Sequence, residues 1–428
     1  MSGLRTLPAR RPTATAVGAL VLVWLVIMFI EPWSNERRND FRIYENYSAL
    51  FLGGKLPYRD VSFEYPPLAA PVIALPGVFG VDDLASFQLD SARDRTYRWL
   101  FSALMLGLAI AVLLQTGRLA ELTGGDRRWA MLAVALAPLL TGAIVRNRFD
   151  LLPVVPTLGA LLALLSRRNA LAFALLGVGA MCKAYPLIVV PVALAWLLGR
   201  GESRAALRGA LALFATLAVL VGGWFAISPD GAADSIRYHL DRPVQVESVP
   251  ASLLLGADVV GGPEAAFTRS YGSNNFISPW GNTVSGGLSL AMAGLVLLLA
   301  GAAARGGGDR HLVLASLTAI TAFAAFGKVL SPQYLTWLVP LFGLAVGWRM
   351  WPLAASLGAS FALTLVEFPF LHGELGKKSV PVNLLVALRN VVLVTAVVLA
   401  ARELLRETGN PLEGLRARFR RGRTATAG

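Results

Sequence analysis

Apolar runs of about 17 to 25 residues recur along almost the whole chain, each long enough to cross a hydrocarbon core of about 30 Å as a helix. They lie near residues 13–30, 98–116, 129–145, 150–165, 170–182, 185–199, 207–227, 286–304, 311–327, 332–348, 352–368 and 382–401. The windows at 170–182 and 185–199 are short. No large soluble domain fits between the runs. With 55% hydrophobic residues, 15% charged residues and a mean hydropathy of +0.60, the chain is too apolar for an ordinary soluble globule. The expectation is an all-α integral membrane protein: one transmembrane domain over residues 1–428, with about twelve spans.

The first run follows a basic start (Arg5, Arg10, Arg11) and passes into Glu31-Pro32-Trp33 without a small-residue cleavage site. It reads as a retained signal-anchor helix with a cytoplasmic amino terminus. An even number of spans returns the carboxyl terminus to the same side. Alternate connections then collect the arginines: Arg118, Arg127 and Arg128; Arg167 and Arg168; Arg200, Arg204 and Arg208; Arg305 and Arg310. That alternation is the positive-inside pattern of a multi-pass plasma-membrane protein. The net charge of +13 sits in these short loops and in the tail 403–428, with Arg416, Arg418, Arg420, Arg421 and Arg423. It points to anionic lipid headgroups or a merely solvated tail, not to nucleic acid. A single cysteine, Cys182 in an apolar run, excludes an intramolecular disulfide and a thiolate metal site.

The opposite set of connections holds every unusual polar motif. It comprises a long loop at 33–96, turns at 146–150, 183–185 and 328–332, a second long loop at 228–285, and 370–381. Short amphipathic helices are expected in the first loop, over 40–52 and 66–79, the second dipping into the interface behind Tyr65-Pro66-Pro67. The loop reads Asn39-Asp40-Phe41-Arg42-Ile43-Tyr44, then Gly54-Lys55-Leu56-Pro57-Tyr58, then Phe63-Glu64-Tyr65-Pro66-Pro67. Further on come Arg148-Phe149-Asp150, Lys183-Ala184-Tyr185-Pro186, Arg242-Pro243-Val244-Gln245-Val246-Glu247-Ser248 and Lys328-Val329-Leu330-Ser331-Pro332-Gln333-Tyr334. No convincing internal repeat is present.

In that order these motifs resemble the signature of polyprenyl-phosphate-sugar-dependent glycosyltransferases of the GT-C class. The likeness is to bacterial family 87, whose members include polyprenol-phosphate-mannose-dependent α-mannosyltransferases, and more distantly to the first mannosyltransferase of GPI-anchor synthesis. The resemblance implies a GT-C-type bundle and an inverting transfer of a hexose, mannose above all. The donor would be a polyprenyl-phosphate sugar, and the acceptor a lipid-linked or glycan molecule outside the cytoplasm. A phosphate leaving group needs little acid assistance, so the demands are a base for the acceptor hydroxyl and cations for the departing phosphate.

Asp40 is the base under this reading; its alternative role is to cap the helix that follows. Lys183 and Lys328 bind the donor phosphate or snorkel to headgroups. Arg146 and Arg148 take the phosphate, or form a plain ion-pair cluster with Asp150. Arg242 and Glu247 contact substrate or pair with each other. Tyr44, Tyr58, Tyr65, Tyr185 and Tyr334 stack on sugar, line a lipid groove, or sit in an interfacial belt, the belt being the default for most. Glu64, Gln245, Gln333 and His372 complete the substrate-facing set; His239 also lies outside, and His311 is expected in the cytoplasm.

No cofactor is called for. There is no Asp-x-Asp pair near Asp40, and Glu36, Glu45, Asp60 and Glu64 lack ligand spacing, so a divalent metal has little support here. No phosphate-binding Gly-x-x-x-x-Gly-Lys loop and no Gly-x-Gly-x-x-Gly fingerprint is present, which argues against a cytoplasmic nucleotide-sugar donor. Two rival readings stand beside this one. One is a transferase of pentofuranose (arabinofuranosyl) units on the same fold. The other is a transporter or flippase with helices broken at Pro186 and Pro332, against which stand the missing repeat and the one-sided motifs.

Overall fold

The computed structural model describes residues 12–34, 39–79 and 92–408. Arg5, Arg10, Arg11, Glu36 and the basic tail from Arg416 to Arg423 lie outside them. The described chain is predominantly helical, as a lipid-solvated backbone must be when every amide needs an internal partner. Five helices are long and apolar enough to cross a membrane: Pro12–Phe29, Arg95–Leu122, Ser203–Ile227, Gly281–Gly306 and Val380–Thr408.

Helical segments occupy the other windows too, but they are shorter or broken. The run read at 129–145 is three pieces, Arg127–Leu136, Pro138–Thr141 and Ile144–Asn147. Pro138 interrupts the amide ladder, and Gly142 then adopts φ +66, ψ −156, a conformation open essentially to glycine alone. Tyr185–Val189 and Pro332–Leu338 are 3-10 turns behind Pro186 and Pro332, continued by the helices Val190–Gly199 and Val339–Gly347. Leu151–Leu165, Asn169–Cys182 and Trp351–Glu367 fall short of a full crossing length.

The two sets of connections sit at opposite ends of the helices. At the arginine-rich end, Arg127 reaches Thr13 Oγ1 at 3.3 Å, Arg200 the Gly307 carbonyl at 2.6 Å, and Arg310 pairs with Glu407 at 3.1 Å. His311 also lies there, 3.7 Å from Glu407.

At the other end both expected short helices form, the first amphipathic and the second, Ala69–Phe79, apolar throughout. The helix Phe41–Leu52 buries Phe41, Tyr44 and Ser48, and Ala69–Ala74 runs on into the turn Leu75–Phe79. The Leu68 amide donates to the Met181 carbonyl at 3.0 Å, tying this loop to the end of Asn169–Cys182. The second long loop departs from an all-helical expectation. Besides the helices Pro229–Asp241 and Val249–Val259 it contains a three-stranded antiparallel sheet. Its strands are β1 (Val244–Gln245), β2 (Ala266–Ser270) and β3 (Ser273–Ile277), in the order β1-β3-β2. The β2–β3 hairpin closes through Tyr271 (φ 52) and Gly272 (φ 61), two left-handed residues whose twist suits paired strands. The sheet region has its own apolar core, in which Val246, Leu254 and Phe276 meet Leu375, Val382 and Val386. Pro229–Asp241 docks on the first loop so tightly that a Cβ at Gly231 would stand 2.0 Å from the Tyr58 carbonyl oxygen.

Candidate active site

Asp40 sits at the N-cap position of Phe41–Leu52, yet its side chain makes no capping bond. Asn39 Oδ1 accepts from the Phe41 amide at 3.1 Å instead. The Asp40 carboxylate is thereby left to form an ion pair with the Arg148 guanidinium, and the Tyr44 hydroxyl donates to the same Oδ2 at 3.4 Å. Two residues further on, Asp150 Oδ1 accepts from Lys183 Nζ at 2.6 Å and from Trp337 Nε1 at 2.8 Å. Four charges of alternating sign, from Asp40 through Arg148 and Asp150 to Lys183, are thus drawn to one end of the bundle.

Local backbone explains how they converge. The breaks at Pro138 and Gly142 turn the chain so that Ile144–Asn147 leads into an extended Arg148. Asn169–Cys182 ends at Lys183, whose backbone is also extended (φ −166, ψ 135), and Pro186 follows. Lys183 Nζ is walled by the rings of Phe149, Tyr334 and Trp337 at 5.3, 5.1 and 5.3 Å, the separation of a cation–π box. Tyr334 and Tyr185 stack on Trp337 at 4.0 and 4.2 Å. Burial pushes the Lys183 ammonium below its ordinary range, with the Asp150 carboxylate opposing. Burial likewise lowers Arg148 to about 10, against the pull of Asp150 and Glu247. Arg148 therefore remains a cation at neutral pH.

The other expected residues distribute around this centre. Glu64 lies close to Tyr44, Tyr65 and Tyr238, and its carbonyl meets His239 Nε2 at 2.7 Å, bridging the two loops. Arg242 lies near Tyr334, Tyr238 and Lys328, and Lys328 donates to the Leu240 carbonyl. Gln333 accepts from Ser331 Oγ at 2.6 Å. Arg146 turns away from the row of charges: its guanidinium is buried and donates to the carbonyls of Ile27 at 3.1 Å and Ser34 at 3.0 Å, fixing the exit of the first span.

Three expectations need correction. A plain Arg146–Arg148–Asp150 cluster does not form, because Arg148 and Asp150 find partners on other elements. No ion pair joins Arg242 to Glu247 among the described residues; Glu247 faces His372. Nor do Tyr44, Tyr58 and Tyr185 belong to an interfacial belt, since each is buried in the protein. Tyr58 instead donates to the Tyr65 carbonyl at 2.5 Å and packs on Trp224.

A second polar cluster lies at the same end of the bundle. Glu247, Glu367 and His372 converge there, and Gln245 Nε2 donates to Glu247 Oε2 at 2.7 Å. Arg389 Nη2 and Asn390 Nδ2 donate to the Glu247 backbone carbonyl at 2.6 and 3.2 Å. Glu367, Arg389, Asn390 and Trp337 escaped the sequence reading. Arg389 carried a signal, a charge inside an apolar window, because such residues seldom lack a function or a partner. Trp337 and Glu367 carried none beyond their residue types.

Structure and site together define a helical membrane protein whose loops build a polar, partly charged centre at one end of the bundle. The particular family follows from the sequence match: residues 63–332 fit the model of glycosyltransferase family 87, and the chain belongs to that family. It is accordingly a membrane glycosyltransferase. The matched region runs from Glu64 through Arg148, Asp150, Lys183 and Glu247 to Lys328, whereas Asp40, Gln333, Tyr334 and His372 lie outside it. No curated protein matches the chain.

Proposed function

We propose that this glycosyltransferase moves a hexose, mannose in the first place, from a polyprenyl-monophosphate carrier to a lipid-linked or glycan acceptor. The reading places about twelve spans in the plasma membrane, both termini in the cytoplasm and the centre around Asp40 on the extracytoplasmic face. The arginine-rich loops at the opposite end support that orientation. The observation that carries the reaction is the Asp40–Arg148 ion pair set beside the Asp150–Lys183 pair, a carboxylate base next to two cations that suit a phosphate.

A carboxylate held by a guanidinium is a weak base. On this reading the donor phosphate competes for Arg148, and the carboxylate it releases accepts the acceptor's proton. The acceptor oxygen bonds to the anomeric carbon from the face opposite the phosphate, the carbon–oxygen bond to phosphate breaks with its electron pair on the phosphate oxygen, and the departing polyprenyl phosphate is held by Arg148 and Lys183. The Nε groups of Arg148 and Arg242 are buried without a hydrogen-bond acceptor, which leaves donors for phosphate oxygens.

The test is transfer from polyprenyl-phosphate-mannose to a panel of lipid acceptors by purified protein in nanodiscs, with Asp40→Asn alongside. Transfer that falls at least about 100-fold in the variant, with donor binding retained, supports the base assignment. Undiminished transfer removes Asp40 from that role. Transfer from a pentofuranose carrier alone reassigns the donor, and none from either carrier overturns the reading.

A further inference from the structure

We propose that Glu247, Glu367 and His372 form a binding site for one divalent metal cation of the manganese or zinc class, placed beside the charged centre and locking the second outer loop to the ends of two helices. His372 Nδ1 stands 3.2 Å from Glu247 Oε1 and 3.1 Å from Glu367 Oε1, and the ligand atoms all lie within 4.8 Å of one another. Ligands about 2.1 Å from a common metal stand roughly 3.0–3.4 Å apart, so the two His372 edges already match and only the carboxylate pair needs to close. One imidazole nitrogen with two carboxylates is a donor set suited to zinc or manganese and poor for magnesium or calcium.

The surroundings are those of a built site. Glu247 is 0% exposed and Glu367 2%. Glu247 Oε1 and Glu367 Oε2 receive no hydrogen bond. A single Nδ1 carries at most one proton to share between two carboxylates, so an oxygen of each stays without a donor, although the Arg389 guanidinium offsets their charge from a distance. Arg389 does not supply the missing contact: it spends Nη2 on a backbone carbonyl, and its Nε and Nη1 have no acceptor.

Gln245, outside the acidic set and 4% exposed, provides an independent sign. Its Nε2 is fixed on Glu247 Oε2, while its amide oxygen has no partner. His372 Nε2 meets Asn274 Nδ2 at 3.2 Å; exchange of that amide's oxygen and nitrogen lets Nε2–H donate when Nδ1 ligates. The three ligands come from the turn after β1, the last residue of Trp351–Glu367 and the first of His372–Leu375, so a cation joins segments that chain connectivity leaves separate.

The experiment uses full-length protein in nanodiscs, carrying no polyhistidine tag and stripped with a chelator. Mn2+ and Zn2+ are titrated, with Mg2+ and Ca2+ as comparisons, and the readouts are bound metal per chain, thermal stability and the pulsed paramagnetic resonance of bound Mn2+. About one equivalent of Mn2+ or Zn2+ is expected, with raised thermal stability and modulation from one imidazole nitrogen. Glu367→Gln and His372→Gln should each weaken binding at least about 10-fold. Asp40→Asn should bind as the parent does, so the result does not depend on sugar transfer. The parent spectrum decides the matter even if a variant misfolds. No saturable Mn2+ or Zn2+ binding, Mn2+ without nitrogen modulation, or binding unchanged in both variants overturns the proposal and leaves an ion-pair cluster only.

Discussion

Removing either member of the Asp150–Lys183 pair should cost more than removing both. At 2.6 Å and an effective dielectric of about 20, the Coulomb attraction is about 6 kcal/mol before desolvation, which returns most of it. The pair is nearly buried, with side-chain exposures of 2% for Asp150 and 16% for Lys183. Asp150→Asn keeps an acceptor for Trp337 but strands the ammonium; Lys183→Met keeps the volume but strands the carboxylate. Each single change should therefore lower stability by about 3–5 kcal/mol. In the double variant no charge is stranded, and the methionine lies among Phe149, Tyr334 and Trp337, rings that favour a thioether. Its stability should return to within about 1–2 kcal/mol of the parent, a coupling of several kcal/mol. Unfolding in a matched detergent micelle, followed by intrinsic fluorescence, measures all four corners of the cycle. Transfer activity should not recover with stability if Lys183 holds the donor phosphate as proposed, because the double variant lacks that ammonium. Single costs that add to within about 0.5 kcal/mol would refute the coupling, and recovered transfer would remove Lys183 from the reaction.

Arg146→Met should lose about 2–4 kcal/mol of stability through the two buried hydrogen bonds to Ile27 and Ser34 while leaving the donor KM of the folded fraction unchanged; a raised KM in stable protein would return Arg146 to the phosphate set. Gly142→Ala should cost about 1–3 kcal/mol of backbone strain beyond the 2.6 Å approach of its Cβ to Leu365 Cδ1, measurable as a lower thermal midpoint. Because burial holds the Lys183 ammonium below its ordinary range, donor affinity should decline as pH rises, with a midpoint below that of an exposed lysine. Lys183→Arg should move that alkaline limb upward in a KM–pH profile, and an unmoved limb would assign it to another group.

The sequence made the membrane class legible because lipid imposes a length and an apolarity on every crossing, a constraint written locally in each window. The same locality made Phe41–Leu52 readable as an amphipathic helix and Ala69–Phe79 as a short helical segment, although the latter is apolar throughout. Residue types in the outer connections marked Asp40, Arg148, Asp150 and Lys183 as a set, but their pairing was not readable. Asp40 caps or bonds a distant arginine according to where Ile144–Asn147 ends, and that depends on a glycine conformation at Gly142 with no periodic signature. Partners also decided the tyrosines: a belt is the better default for an isolated ring near an interface, whereas Tyr44, Tyr58 and Tyr185 each find aromatic neighbours from other segments. The β2–β3 hairpin was hidden because Tyr271-Gly272 is a weak turn signal and its strands are half polar.

The second long loop links the two polar clusters physically. Its helix Pro229–Asp241 carries His239 to the Glu64 carbonyl, its Gln245 backbone N–H donates to the Lys328 carbonyl at 3.0 Å, and its Glu247 lies in the second cluster while acting on the charge of Arg148. A displacement of this loop must therefore disturb the first-loop wall, the Lys328 segment and the field at Arg148 together. A group that fixes the loop at Glu247 acts on the charged centre through the same connections, without touching the reacting atoms. With the proposed cation bound, Glu247 would act as a positioning residue beside Asp40, Arg148 and Lys183. Its loss should then appear as altered donor affinity with the proton acceptor intact.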